Sequence, residues 1–173
     1  NKLLHVLFPP QGKYVVTPNY LPALDAYGSS EPVVSYEVHI RNGPVLVLQV
    51  RPRSHLNIKS QRAAADRQLA QRMLDIQASS PLSIEFYGIS AMGTKICFYT
   101  YDRVEGLRPA PIPATTVAVD TAPVSRWNED VLRSSGRRRL RVLVKDIEEG
   151  LTSSDSDSST ALSFSSDSDG DSN

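Results

Sequence analysis

Two polar side chains stand near the end of an apolar segment, residues 44–52, at a spacing that could place both in one site. Gln49 and Arg51 are two residues apart, and side chains two apart on a β-strand point to the same face. Four more basic side chains follow between residues 53 and 67. Such a group could form a basic patch of the kind that tracks a phosphate backbone. Its members are Arg51, Arg53, Lys59, Arg62 and Arg67.

The segment that carries Gln49 and Arg51 is predicted to be the second strand of a hairpin. Two apolar runs, residues 33–40 and 44–51, flank Asn42-Gly43. This pair is a strong hairpin signal, because both residues tolerate a positive φ. The second run is apolar on both faces, as expected for a central strand covered on two sides.

The turn also predicts a register. With Asn42-Gly43 as the two turn residues, Arg41 opposes Pro44 and Glu37 opposes Leu48. Gln49 would then oppose Tyr36, on the other face of the sheet from Glu37. Glu37 is therefore expected to be a solvent-facing or cross-strand polar residue, and not an acid beside Gln49.

The remaining pattern predicts a mixed α/β core. A helix over about residues 57–78 has no internal Pro or Gly and an apolar stripe at helical spacing: Ile58, Ala65, Leu69, Met73 and Ile76. Pro18 makes a first strand at 13–20 an edge or bulged strand. Strands at 82–89 and 94–101 are rich in β-prone residues. Ser125 is a candidate N-cap for a helix over 126–134, Gly136 breaks it, and a last helix runs over about 137–151.

Two basic positions leave alternatives open. Arg62 could contact a substrate phosphate or brace the site, or it could form an i,i+4 ion pair with Asp66 while its stem covers the edge of the core. The arginines of residues 137–141 lie at a predicted helix N-terminus, where the helix dipole disfavours positive charge. They are either a binding surface or a solvated basic face.

Composition narrows the function classes. The chain has 173 residues, enough for one domain with a sizeable core. No run of 18 apolar residues occurs, so no membrane span is expected. The single Cys97 excludes an internal disulfide and a Cys-rich metal site, and fits an intracellular protein, nuclear or cytoplasmic. His5, His39 and His55 show no metal-binding spacing. The first residues lack an initiator Met and a cleavage site, which is typical of a fragment.

The zero net charge conceals two unlike parts. Residues 152–173 contain five Asp and no Lys or Arg, so residues 1–151 keep 19 basic and 14 acidic side chains, a net charge of +5. A segment so rich in Ser and Asp is predicted to be disordered, because it cannot bury enough apolar area to offset its ordering entropy. It is either an inert tail, a phosphorylatable competitor of nucleic acid or a ligand for a basic partner.

Several short motifs resemble a group of uncharacterised fungal, mainly basidiomycete, proteins, over about residues 3–150. The order of the predicted elements (strand, hairpin, helix, strand, strand) also resembles the core of restriction-endonuclease-like nucleases, strand–strand–strand–helix–strand, in which the third strand ends in Glu/Asp/Gln-x-Lys. The matching motifs are Leu7-Phe8-Pro9-Pro10, Gln49-Val50-Arg51-Pro52, Ala64-Ala65-Asp66, Gly93-Thr94-Lys95-Ile96-Cys97-Phe98-Tyr99, and Asp120-Thr121-Ala122-Pro123 with Arg126-Trp127.

The resemblance implies an α/β fold with a mixed sheet and flanking helices at residues 1–151, followed by the acidic tail at 152–173. It assigns Glu31 as the first acid, and Gln49 and Arg51 to the Glu-x-Lys positions of a PD-(D/E)XK-type site. In an active nuclease Glu31 and Gln49 would hold Mg²⁺, which prefers anionic oxygen ligands. Gln49 is neutral, however, and Arg51 has a planar head that stays protonated. The motif is therefore degraded.

The sequence thus predicts a nuclease-derived domain that binds nucleic acid or a protein partner without cutting, and that needs no cofactor. The first alternative is an active Mg²⁺-dependent nuclease that uses Glu31, Gln49 and Arg51. The second is a non-catalytic interaction module that binds proteins through the acidic tail or the Pro-rich residues 103–123. Arg53, Lys59, Arg62 and Arg67 are the candidate nucleic-acid contacts.

Overall fold

The computed structural model describes residues 2–21, 33–40, 43–79, 85–113 and 119–157. The helices are α1 (Lys2–Leu7), α2 (Lys59–Ser79) and α3 (Ser134–Asp157). The strands are β1 (Tyr14–Leu21), β2 (Val33–Ile40), β3 (Gly43–Arg51), β4 (Phe86–Met92), β5 (Lys95–Asp102), β6 (Gly106–Arg108) and β7 (Glu129–Asp130). Short 3₁₀ helices occur at Arg53–Asn57 and Val124–Trp127.

One mixed sheet contains all seven strands, in the order β1-β2-β3-β4-β5-β6, with β7 paired to β5. Only β3 and β4 run parallel, and α2 is the connection between them; the other pairs are antiparallel. A parallel pair requires such a crossover, whereas antiparallel neighbours need only short turns. The prediction of an α/β fold with a mixed sheet is confirmed.

Helices cover both faces of the sheet. On one face α2 buries Ala65, Leu69, Met73 and Ile76, four of the five residues of the predicted stripe, against the sheet. Ile58 precedes the helix and is exposed. On the other face α1 and α3 pack on the sheet. Because β3 lies between these layers, its apolar side chains are buried or half-buried on both faces, as expected for a central strand.

The predicted hairpin forms, but the register predicted for its two strands is wrong by one residue. Ser35 pairs with Gln49 and Glu37 with Val47, and a β-bulge between Val38 and His39 leads to the pairing of Ile40 with Gly43. Arg41 and Asn42 lie outside the described residues. A one-residue slip moves every side chain to the opposite face. Glu37 therefore shares a face with Gln49, contrary to the prediction.

The chain beyond β5 departs most from the expected elements. Residues 126–134 do not form a helix: the 3₁₀ helix Val124–Trp127 and strand β7 stand there, and α3 already begins at Ser134. Gly136 lies inside the first turn of α3 and does not break a helix. A Cβ at Gly136 would lie 2.2 Å from the carbonyl oxygen of Asp130. Glycine is therefore required here by close packing.

The remaining strands agree with prediction apart from their ends. Strand β1, which contains Pro18, lies at the edge of the sheet. Strand β4 begins at Phe86, later than predicted. Helix α3 extends to Asp157, past the predicted end near residue 151, and residues 158–173 lie outside the described residues, so disorder of the tail stays a prediction. No helix within the described ranges is long and apolar enough to cross a bilayer.

Candidate functional site

Gln49 and Arg51 lie near the end of β3 and face α2. Both are buried, with exposed fractions of 3% and 2%. Their common face follows from the two-residue period of the strand, and β2 and β4 on either side remove them from solvent. The neighbours of Gln49 on this face are also polar: Ser35 lies across from it on β2 and Ser90 on β4.

The heads of both side chains are held by glutamines of α2. Gln49 Nε2 donates to Gln68 Oε1 at 3.4 Å, and Arg51 Nη2 donates to the same oxygen. Arg51 Nη1 is 3.5 Å from Gln61 Oε1, a long contact. Gln61 and Gln68 are two turns of helix apart on the face toward the sheet. Sequence reasoning missed both, although their spacing of seven residues is a helical signal.

The side-chain oxygen of Gln49 is the acceptor that this cluster leaves unused. Gln49 Oε1 is buried and accepts no hydrogen bond from any residue that the structure describes. An unpaired buried carbonyl oxygen costs about 1–3 kcal/mol, so it favours a donor or a cation nearby. This oxygen stands at the position where the motif predicted from the sequence would have a carboxylate in an active nuclease.

Glu37 is the acid that the actual register brings to this face. It is 5% exposed, and its carboxylate is already paired. Oε1 accepts from Arg72 Nη2 at 2.6 Å and Nε at 3.0 Å, and Oε2 lies 3.2 Å from His39 Nε2. A carboxylate so engaged is not available as a metal ligand. The predicted first acid, Glu31, lies outside the described residues; β2 begins two residues after it.

The residues present do not fit a Mg²⁺ site. Gln49 is neutral, the guanidinium of Arg51 lies beside it, and Glu37 is bound to Arg72. Among the described residues no group of three His, Cys, Asp or Glu side chains is arranged to hold a metal ion. Mg²⁺ is usually held by carboxylates that remain free to coordinate it.

The predicted basic patch is only partly at the surface. Arg53, Lys59 and Arg67 are exposed. Arg62 is 5% exposed and its head turns inward: Nε donates to Ala122 O at 2.8 Å, Nη1 to Leu56 O at 2.9 Å, and Nη2 to Asp120 Oδ2 at 2.6 Å. The predicted pair of Arg62 with Asp66 is therefore wrong. Arg62 anchors the segment that precedes the second 3₁₀ helix.

Asp66 instead belongs to a second buried cluster. Its Oδ1 accepts from the Tyr99 hydroxyl at 2.6 Å and from Arg126 Nη1. Burial, together with the nearby Cys97 and Asp66, raises the pKa of Tyr99 far above its ordinary value. Burial also raises the pKa of Cys97 to about 11. The tyrosine and the thiol therefore stay neutral and act as parts of the core.

These contacts explain several of the motifs noted in the sequence. Arg62 with Asp120, and Asp66 with Arg126, fasten residues 120–127 to α2, and Trp127 Nε1 donates to Ser90 Oγ at 3.3 Å. Burial opposes ionisation of Asp120, but the hydrogen bonds from Arg62 and the Ala122 amide outweigh it and hold the pKa of this carboxyl below its ordinary value. The motifs thus serve the architecture around the site.

No protein-family model, curated protein or solved structure matches this chain. The site is therefore interpreted from its own geometry.

Proposed function

We propose that this chain is a nuclease-derived domain, related to the restriction-endonuclease-like enzymes and to the fungal group that it resembles, which has lost catalysis and binds nucleic acid or a protein partner. The observation that carries the proposal is the cluster at the end of β3. Gln49 and Arg51 stand at the two motif positions, and both are hydrogen-bonded to Gln68. Such an arrangement holds the end of β3 to α2.

The order of elements supports the nuclease ancestry. The elements from α1 to β4 run helix, three antiparallel strands, helix, strand, and the last strand is parallel to the third. This order agrees with the strand–strand–strand–helix–strand core implied by the sequence motifs. Fold alone does not determine activity, so the loss of catalysis is argued from Gln49 and Arg51. We place the protein inside the cell, in the nucleus or the cytoplasm.

The test is a cleavage assay on the full chain. End-labelled duplex DNA and RNA are incubated with Mg²⁺ or Mn²⁺, and we expect no cleavage above buffer. A neutral ligand at Gln49 lacks the charge that holds the metal, and a guanidinium at Arg51 cannot reproduce a compact ammonium. Robust cleavage that disappears in Glu31→Ala would establish the alternative, an active Mg²⁺-dependent nuclease.

A reversion separates lost catalysis from mere similarity of fold. The double change Gln49→Glu with Arg51→Lys recreates the Glu-x-Lys pair, and Gln77→Glu with Arg53→Lys makes the same charge change elsewhere. We expect Mn²⁺ binding, measured by calorimetry, in the first variant and none in the second. Equal behaviour of the two variants would show that Glu31 is not the first acid or that the resemblance is one of fold alone, and would favour a plain interaction module.

A further inference from the structure

A dense cluster of positive charge lies at the start of α3, on the opposite face of the sheet from Gln49 and Arg51. Five arginines fall within nine residues and all are exposed: Arg133, Arg137, Arg138, Arg139 and Arg141. Within the described part of the chain none of them has a carboxylate partner. Arg137 donates to the carbonyl oxygen of Leu132 at 3.2 Å.

The contrast with other cations is clear. Arg62, Arg72, Arg126 and Lys95 are each paired with an Asp or Glu. The fold thus compensates these four cations, and gives the arginines at the start of α3 no carboxylate partner among the described residues. Cations at a helix N-terminus are also disfavoured by the dipole, so neither local electrostatics nor an ion pair accounts for the cluster.

A groove runs beside these arginines. Two adjoining cavities of about 480 and 400 Å³ share Phe98, Thr100 and Arg139 in their linings. Arg138 lines the first cavity and Arg108 the second. The guanidinium carbon of Arg139 lies 4.9 Å from the centre of the Phe98 ring, so this arginine is held over the groove floor.

The alternation of side chains along β5 shows which face of the sheet Phe98 lies on. Phe98 packs with the cluster that contains Leu140 and Leu143 of α3, whereas its neighbours Cys97 and Tyr99 belong to the cluster under α2. Gln49 and Arg51 face α2. A ligand that lies over Phe98 between the two cavities therefore contacts the opposite side of the sheet from Gln49 and Arg51.

We propose that this groove and the first two turns of α3 bind the phosphate backbone of a nucleic acid. Arg137 and Arg141 are one turn apart, roughly 6 Å along the helix, and continue the row of positive charge beyond the groove. A guanidinium binds phosphate oxygens with two parallel hydrogen bonds. Asp146, which also lines the larger cavity, marks the end of the positive stretch. The inference rests on the nucleic-acid half of the proposed function and gives its location.

The proposal requires that a linear polyanion from outside occupies the groove. The chain's own residues 152–173, with five Asp, begin within the last turns of α3 and are the competing occupant. Both a nucleic acid and the acidic tail would complement the charge of the arginines. A row of arginines that extends past the groove along an exposed helix face fits a long, regularly charged backbone better than a short acidic segment.

The experiment measures binding of the full chain to a labelled duplex DNA and to a single-stranded RNA of the same sequence, in EDTA, by fluorescence anisotropy. The test variant is Arg138→Gln with Arg141→Gln, and the matched control is Lys2→Gln with Lys13→Gln, two exposed cations elsewhere that remove the same charge. At about 0.1 M salt we expect the test variant to bind at least tenfold more weakly and its salt dependence to fall by about two phosphate contacts. The control should stay within about twofold, because its lysines lie outside the groove.

The two probes separate duplex from single-stranded ligands; binding to either, lost in the test variant, supports the proposal. Equal loss in both variants would show binding by net charge alone, and unchanged affinity of the test variant would place the surface elsewhere; each overturns the proposal. So would a chain that binds only after its five tail Asp residues are replaced by Asn, since its own tail would then be the occupant. Binding that is independent of α3 leaves the proposed function standing, and the cleavage assay tests that separately.

Discussion

Glu37 on β2 and Arg72 on α2 form an ion pair in which one carboxylate oxygen accepts two hydrogen bonds, from Nη2 at 2.6 Å and from Nε at 3.0 Å. The carboxylate is nearly buried, while the arginine side chain is 41% exposed. The pair joins the second strand to the helix at the edge of the candidate site. It also neutralises the acid that the register places on the same face as Gln49.

Removal of Arg72 should destabilise the fold because it leaves a buried carboxylate without its main partner. We expect Arg72→Leu to lower the free energy of unfolding by about 1–3 kcal/mol, less than for a fully buried pair, since Arg72 is partly exposed. The double variant Glu37→Leu with Arg72→Leu should recover part of this loss. Urea denaturation followed by Trp127 fluorescence measures both. Exposed Arg67→Leu is the control, and an equal effect there would refute the assigned role.

Arg62 should be essential for stability and dispensable for nucleic-acid binding. Its three hydrogen bonds end on groups within the protein, so Arg62→Met should cost about 3 kcal/mol or more, because Asp120 loses its cationic partner and two carbonyl oxygens lose a donor. Arg67→Met on the same helix should change stability by less than about 0.5 kcal/mol. Denaturation and anisotropy are measured on the same preparations. A folded Arg62→Met protein with much weaker binding would restore Arg62 as a phosphate contact.

Acid should weaken the attachment of residues 120–127 to α2. The pKa of Asp120 is depressed in the folded chain, where burial is outweighed by the hydrogen bonds from Arg62 and the Ala122 amide. A carboxyl whose pKa is lower in the folded chain than in the unfolded chain stabilises the fold at pH values above its unfolded pKa of about 4. This stabilisation is lost as the pH falls through the folded pKa. We expect Asp120→Asn to be less stable than the parent chain at pH 7 and the difference to shrink toward about pH 2.

The check for this pH dependence is a series of urea titrations from neutral to acidic pH. Asp75→Asn serves as the control, because Asp75 lies on the exposed face of α2. Among the described residues, its carboxylate accepts a hydrogen bond only from the side chain of Gln71. A stability difference for Asp120→Asn that does not vary with pH would show that the carboxylate charge is not what fastens this segment.

Most of the sheet could be predicted from local pattern. Asn42-Gly43 between two apolar runs indicated the hairpin, the doubly apolar run at 44–51 indicated a central strand, and Pro18 indicated an edge. These signals work because backbone φ preferences and side-chain alternation act within a few residues. The register could not be predicted in the same way. The bulge at Val38 and His39 shifts the pairing, and nothing in the turn itself specifies that bulge.

The prediction of a helix over residues 126–134 was wrong for a different reason. Trp127, Val131 and Leu132 are spaced like one side of a helix. In the structure, however, Trp127 packs in the core and donates to Ser90. Val131 directly follows strand β7, which pairs with β5. Contacts with residues more than thirty positions away overrode the local preference. Helix propensity is a weak prior against such tertiary contacts.

By itself the sequence determined that Gln49 and Arg51 share one face of a buried strand, because strand alternation is a property of the backbone. Only the tertiary structure decided what meets them there. Gln68 and Gln61 reach them from α2 after the crossover, Glu37 joins their face through the shifted register, and Arg72 neutralises it from 35 residues away. Hydrogen bonds and ion pairs act over a few ångströms in space, so residues distant in the chain become partners only when the fold brings them together.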